Sequence, residues 1–208
     1  MRQMIKDLIS SGYLKTPGII DAFQRIDRKD FVLEQNKDEA YINAPLPIGY
    51  GQTISQPLTV AFMLELLQPE SGNRILDVGS GSGWQTALLA DMVDDLPDNG
   101  GRVFAIEIIP ELAEFGRKNI SKYNFIKKGV VKFYNKNAVN GLPEEAPFDR
   151  IISAAAAEEV PKAWKEQLKI GGRLVLPVQE SVLLMVKTGE NSFEEQSHPG
   201  FAFVPFIS

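Results

Sequence analysis

From Pro57 onward the apolar positions along the chain change period at short intervals. "PLTVAFMLELLQP" (57–69) is apolar enough for a packed helix and is stopped by Pro69. "NRILDVG" (73–79) is a short apolar run ending on glycine and predicts a buried strand; "WQTALLADMVDDL" (84–96) predicts a helix and "GRVFAIEI" (101–108) another strand. "PELAEFGRKNISKY" (110–123) predicts a helix with proline at its start. "GVVKFYN" (129–135) and "FDRIISAAA" (148–156) predict strands, and "EEVPKAWKEQLK" (158–169) a helix closed by Gly171-Gly172. "GRLVLPV" (172–178) and "SVLLMVKTG" (181–189) are near enough for a hairpin, and "FAFVPF" (201–206) predicts a last edge strand, where proline is tolerated. Strands alternating with helices are the signature of a doubly wound, mostly parallel α/β sheet, to which the hairpin adds an antiparallel element.

The first part of the chain reads differently. Met1, Met4, Ile5, Leu8 and Ile9 recur at helical spacing and Gly12 ends the run; Thr16-Pro17 then reads as a cap followed by proline in the first turn of a helix reaching about Arg25. "DRKDFVLEQNKDEAYINAPLP" (27–47) is mixed and irregular. It leads into "PLPIGYGQTISQP" (45–57), a stiff, uncharged, hydroxyl-bearing loop too broken for a helix and too polar for a core strand.

Composition narrows the chemistry. The 208 residues are 44% hydrophobic and 24% charged, as expected of a globular chain, and the net charge of −5 argues mildly against nonspecific binding to nucleic acid. With no cysteine, disulfides, thiolate metal sites and cysteine nucleophiles are excluded; the single histidine, His198, rules out a multi-histidine zinc site and reads as a surface loop residue. No apolar run has the length of a membrane span, and the amphipathic start lacks the continuous apolar stretch of a signal peptide, so the expected location is the cytoplasm. Trp84 is expected to pack under the glycine loop just before it (79–83) and Trp164 on the apolar face of its helix, while the basic run Lys122–Lys128 reads as a solvated face.

The candidate chemistry sits in "LDVGSGSGW" (76–84), a strand, a glycine turn and a helix in that order. Gly79, Gly81 and Gly83 give G-x-G-x-G; the third position of the dinucleotide fingerprint would be Trp84, and the lysine of a phosphate-binding P-loop is missing. Asp77 lies just before the turn, at the end of the strand where ligands of open α/β sheets bind, and an aspartate beside a ligand favours an ammonium over a pyrophosphate. Glu107 ends the next strand, 28 positions after Gly79, where an acid can accept hydrogen bonds from a ribose diol. A nucleoside with an amino-acid tail and no phosphate bridge fits these residues, and S-adenosylmethionine is such a molecule.

"LDVGSGSG" with "IGYGQTISQP" ahead of it resembles the protein-L-isoaspartate O-methyltransferases, as do "EEAPFDRIISAAAAEEVPKAWKEQLKIGGRLVLPV" (144–178) and the terminal "GFAFVPF" (200–206). The resemblance runs from about residue 5 to 206; the glycine loop is shared by many methyltransferases, whereas "GQTISQP" and "QLKIGGRLVLPV" are far more specific. It implies a Rossmann-like, seven-stranded sheet with one antiparallel strand, in one methyltransferase domain over 1–208: a helical and loop extension over 1–70 and a cofactor-binding core over 71–208. It also implies methyl transfer from S-adenosyl-L-methionine to the α-carboxylate of L-isoaspartyl residues in damaged proteins and peptides, with S-adenosyl-L-homocysteine as product. A monomer without nucleic-acid or membrane partners is expected.

By the same resemblance Ser55, with Thr53, takes the active-site position, and Gln52, Thr53, Ile54 and Ser55 cover the cofactor. Asp77, Gly79, Ser80, Gly81, Gly83, Glu107, Ile108, Asn137 and Ala138 are implied as the rest of its binding site. Three positions depart from the family pattern. Asn137 stands where an aspartate usually meets the adenine amine, Glu158 (beside Glu159) replaces the proline after the alanine run, and Val60 replaces a histidine of some members. Glu158 and Glu159 read either as openers of the following helix or as a substrate rim. The same fold acting on another carboxylate or small molecule, or a non-catalytic cofactor-binding relative, are the rival readings; the "GQTISQP" loop favours protein repair.

Overall fold

The computed structural model describes residues 1–94 and 100–206. Helix α1 (Arg2–Ser10) buries Met4, Ile5 and Leu8 of the expected face but leaves Ile9 exposed, and α2 (Pro17–Arg25) buries Ile19, Ala22 and Phe23. Short 3-10 helices at Arg28–Phe31 and Glu34–Glu39 carry the chain to a two-stranded hairpin, β1 (Leu46–Gly49) and β2 (Gln52–Ile54). Helix α3 (Pro57–Leu67) follows, with proline in its first turn and Gln68 ending it in the left-handed region at φ 50°.

Next come β3 (Arg74–Val78), α4 (Trp84–Val93), β4 (Arg102–Glu107), α5 (Pro110–Ser121), β5 (Val131–Asn135), β6 (Phe148–Ser153), α6 (Lys162–Gln167), β7 (Leu168–Val178), β8 (Ser181–Lys187) and β9 (Phe193–Pro199). The sheet order is β5-β4-β3-β6-β7-β8-β9. β3 to β7 pair in parallel, and β8 runs antiparallel to both β7 and β9. The expected seven-stranded, mostly parallel sheet with one antiparallel strand is therefore observed. The chain winds outward from β3 through β4 to β5 and returns to β3's other side with β6, which makes the β3/β6 boundary the switch point where such sheets bind ligands.

Both faces of the central strands are covered, so residues 103–106 of β4 form a continuous apolar run, and Ile75, Leu76 and Val78 of β3 and Ile151 and Ile152 of β6 are all buried. One core layer joins the N-terminal helices to α3 and α4; the other lies between the opposite face of the sheet, α6 and residues 138–148. Phe23 of α2 meets the edge of Trp84 at 5.6 Å, and both are buried. Burying a phenylalanine of this kind contributes about 2–3 kcal/mol, so the N-terminal helices are held by packing on the core as well as by the chain.

Several sequence expectations are corrected. The loop at 45–57 contains the hairpin, pairing Leu46 with Ile54 and Pro47 with Thr53 about a tip in which Gly49, Tyr50 and Gly51 all have positive φ. Leu46, Ile48 and Ile54 are its buried positions, too few for a periodicity to register. The helix expected at 158–169 is only Lys162–Gln167, so Glu158 and Glu159 precede its first turn instead of opening it. Gly171-Gly172 do not stop a helix; they lie in β7, where its pairing with β6 shifts register between the Phe148–Leu168 and Arg150–Arg173 pairs. The last strand is Phe193–Pro199, not 201–206. It is mostly exposed and is held along β8 by backbone pairing, which leaves no apolar pattern to read. His198 therefore sits on a strand opposite Val182, its ring edge-on to Phe62 at 5.2 Å. The apolar 201–206 segment instead crosses the strand ends: Ala156 N–H donates to the Val204 carbonyl at 2.8 Å and Phe206 N–H to the Ala156 carbonyl at 2.8 Å. The expected end of α4 at Leu96 falls outside the described residues.

Candidate active site

The turn after β3 is built for close approach. Gly79 and Ser80 N–H groups donate to the Ile106 carbonyl at 2.9 and 3.1 Å, which folds the turn back over β4. Gly83 caps α4 at φ 88°, and a Cβ there would lie 2.9 Å from Ile120 and 3.0 Å from the Gly116 carbonyl. Gly116, on α5, faces it; a Cβ on that residue would stand 2.6 Å from the Gly81 carbonyl. Two glycines from different elements thus let α5 press against the turn. Gly116 lies within a predicted helix, and no sequence signal marked it.

Glu107 closes β4 with 5% of its surface exposed. Its carboxylate accepts from Gly81 N–H at 2.8 Å on one oxygen and from Ile109 N–H at 3.0 Å on the other. A carboxylate offers about four acceptor sites, so each oxygen keeps capacity for a further donor. Glu107 lines a cavity at the switch point. Gly79, Gly81 and Val78 form its floor, Ile106, Ile108, Ile109 and Leu112 one side, and Ala138, Ala154 and Ala155 the other. Ile48, Gln52 and Thr53 of the hairpin, with Val204, Pro205 and Phe206, close it above. A largely apolar cavity with one carboxylate in its wall suits an adenosine whose ribose diol reaches the acid.

Thr53, Ala154 and Val204 are also walls of a second cavity, completed by Pro45, Ser55, Gln56, Thr59, Ala202 and Phe203. No ionisable side chain occurs among these described lining residues; Thr53, Ser55 and Thr59 bring three hydroxyls. The structure thus brings Gln52, Thr53, Gly79, Gly81, Glu107, Ile108 and Ala138 to one cavity and Ser55 to its neighbour, with Thr53 lining both.

Other candidate residues lie elsewhere. Ile54 is turned into the hydrophobic core, and Ser80 and Gly83 lie behind the cavity wall. Asp77 corrects the expectation of a carboxylate beside a ligand's ammonium. It is fully buried, accepting from Gln85 Nε2 at 2.8 Å and Thr86 Oγ1 at 2.5 Å, so it ties β3 to the first turn of α4. Burial pushes its carboxyl up to about 6, opposed by the Thr86 and Gln85 hydrogen bonds and reinforced by the charge of Glu107. Asn137 is exposed, and its side-chain oxygen accepts from Val139 N–H at 2.8 Å, capping a turn rather than facing the cavity. Lys136, unmarked in the sequence, lines the cavity in its place and pairs with Glu144 at 3.1 Å. The Ala138 wall is held from behind by Trp164, whose Nε1–H donates to the Ala138 carbonyl at 2.7 Å, and Phe206 packs edge-on against the same indole. Val60 is buried in the core, and Glu158 and Glu159 line neither cavity.

A glycine turn after the central strand, an acid ending the next strand and a shared wall leading to a second cavity define a Rossmann-like methyltransferase that uses S-adenosylmethionine. The family model for protein-L-isoaspartate(D-aspartate) O-methyltransferase matches residues 1–208, and the chain belongs to that family. A protein-L-isoaspartate O-methyltransferase of Methanopyrus kandleri is 42% identical over 209 residues, covering 99% of this chain and 90% of the relative. One from Staphylothermus marinus is 43% identical over 211 residues, covering 99% and 93%. Among solved structures, a Plasmodium falciparum protein described as a protein-L-isoaspartate O-methyltransferase in complex with S-adenosyl-L-homocysteine superposes with a TM-score of 0.88 at 26% identity, covering 99% of this chain and 97% of that one.

Proposed function

We propose that this chain is a protein-repair methyltransferase that methylates the α-carboxylate of L-isoaspartyl residues in damaged proteins and peptides, in the two neighbouring cavities described above. S-adenosyl-L-methionine supplies an electrophilic methyl group on a sulfonium and leaves as S-adenosyl-L-homocysteine. Glu107 takes the ribose hydroxyls on its remaining acceptor sites, the apolar walls of Ile106, Ile108 and Ala138 flank the base, and Gly79 and Gly81 let the backbone come close to the ligand.

The observation that carries the reading is the uncharged second cavity that shares Thr53, Ala154 and Val204 as wall residues with the first. The acceptor is a carboxylate with an ordinary pKa of ~4, already ionised at neutral pH, so no general base is required. It needs orientation and a site poor in water. A lysine in the second cavity would hold the carboxylate in its ground state, and binding ground and transition states equally well does not raise the rate. Hydroxyl donors from Ser55 and Thr53 orient it without neutralising it. Methylation and spontaneous closure to a succinimide then allow partial return to normal aspartate.

The test offers labelled S-adenosylmethionine with an isoaspartyl peptide and with its aspartyl twin. Base-labile label on the isoaspartyl peptide alone is the expected result. Bound cofactor with no labelling of either peptide overturns it.

A further inference from the structure

Arg28 is fully buried, and among the described residues no carboxylate pairs with it. Its guanidinium spends its donors on backbone carbonyls instead. Nη1 donates to Ala40 at 2.7 Å and to Ile42 at 3.4 Å; Nη2 donates to Ala44 at 3.0 Å and to Ser55 at 3.1 Å. The guanidinium also lies over the Trp84 ring, 5.2 Å from its centroid, while Nε has no partner. Burying a cation without a counter-ion is costly, and desolvation lowers its pKa to about 10. A planar fork reaching several carbonyls at fixed angles is what arginine offers over lysine.

Three of its five partners lie in or beside the site; Ala40 and Ile42 anchor it to the preceding loop. Ser55 lines the second cavity; Trp84 opens α4 directly after Gly83 of the glycine turn; Ala44 precedes Pro45, another wall residue. Holding the Ser55 carbonyl fixes the plane of the Ser55–Gln56 peptide, since that unit is rigid, and Gln56 also lines the second cavity.

We propose that Arg28 is a positioning residue for methyl transfer: it bolts the Ser55 loop to the helix that follows the glycine turn and so sets the distance between acceptor and donor cavities. The proposal rests on the reading of Ser55 as a substrate-orienting residue. A misplacement of about 1 Å can cost roughly 100-fold in rate, so the arrangement has catalytic consequences without Arg28 touching a substrate.

The test uses Arg28→Lys, which keeps the charge and loses the fork, and Arg28→Gln, which keeps amide donors and loses the charge. Folding is checked by circular dichroism and thermal melts, and turnover is measured well below each melting temperature. We expect kcat to fall roughly 10- to 100-fold in Arg28→Lys, with cofactor Kd within about 2-fold of the parent, and Arg28→Gln to stay folded if the lysine variant does not. In a Ser55→Ala background the same substitution should cost less than about 3-fold, because coupled residues are not additive. Unchanged kcat in both variants, or an undiminished loss in the Ser55→Ala background, overturns the proposal. Full turnover by Ser55→Ala alone overturns the Ser55 reading instead.

Discussion

The two cavities meet at Thr53, Ala154 and Val204 but are made of different kinds of structure. The first is assembled from the C-terminal ends of β3, β4 and β6, parallel strands whose register is set by a buried sheet. The second is walled by a short hairpin, the first turn of α3 and the 202–204 segment, which has little regular pairing of its own. The sheet places a carboxylate, Glu107, with its oxygens already oriented by two backbone N–H groups. The irregular side places three hydroxyls and the Gln56 amide but no charge, and depends on long-range ties, Arg28 among them. Rigid strand ends suit a ligand whose shape never changes. A wall of loops suits a side chain presented on many different peptides.

The comparison is broken most directly at Glu107. Glu107→Ala should weaken cofactor binding by roughly 100-fold, about 3 kcal/mol, since hydrogen bonds to a charged group contribute about 1.5–3 kcal/mol each; titration calorimetry reads this, and an unchanged Kd contradicts the ribose assignment. Ser55→Ala should do the opposite, leaving cofactor Kd unchanged and lowering kcat roughly 10- to 30-fold, as loss of an orienting donor costs about 1–2 kcal/mol. A substitution that moved both quantities together would show that the two sides are not separable.

Asp77 tests how far the cofactor side is structural. Its carboxyl holds a proton up to about pH 6 in the folded state against an ordinary 3.8, so between those values the native protein binds more protons than the unfolded chain. That contribution to stability is present at low pH and is lost as pH rises through about 6. Asp77→Asn does not titrate, so its stability relative to the parent should rise by about 2 kcal/mol between pH 4 and 7, most of the ~3 that a two-unit shift represents, while weaker bonds to Thr86 and Gln85 lower it equally at every pH. Denaturant midpoints across that range check it, and a flat difference contradicts it. The smallest effect is expected at Asn137, where Asn137→Ala should change cofactor Kd by less than about 2-fold, the cost of one exposed turn hydrogen bond.

How much was legible follows the length scale of each interaction. The strand–turn–helix around Gly79–Gly83 and the acid ending β4 are local patterns, and both appear where the sequence places them. Asp77 stands at the strand end that its place in the sequence predicts, but its partners Gln85 and Thr86 come from the facing turn of α4, a contact no spacing rule states. Asn137 caps a turn that leaves Lys136 and Ala138 on the cavity wall, a local geometry that no residue pattern states. The 201–206 segment is apolar because it packs on Phe62 and Trp164 across the strand ends, a reason that mimics a strand's.

By itself the sequence determined the alternation of strands and helices, the glycine turn, the acid at the end of β4 and the uncharged character of the 45–57 loop, because each follows from residues close together in the chain. Only the tertiary structure decided that this loop is a hairpin roofing one cavity and walling another. Only there does Arg28 meet the Ser55 carbonyl, 27 residues on, and Trp164 the carbonyl of Ala138, 26 residues back. Such contacts depend on where folding brings distant backbone atoms, and on buried donors that must find an acceptor once water is gone.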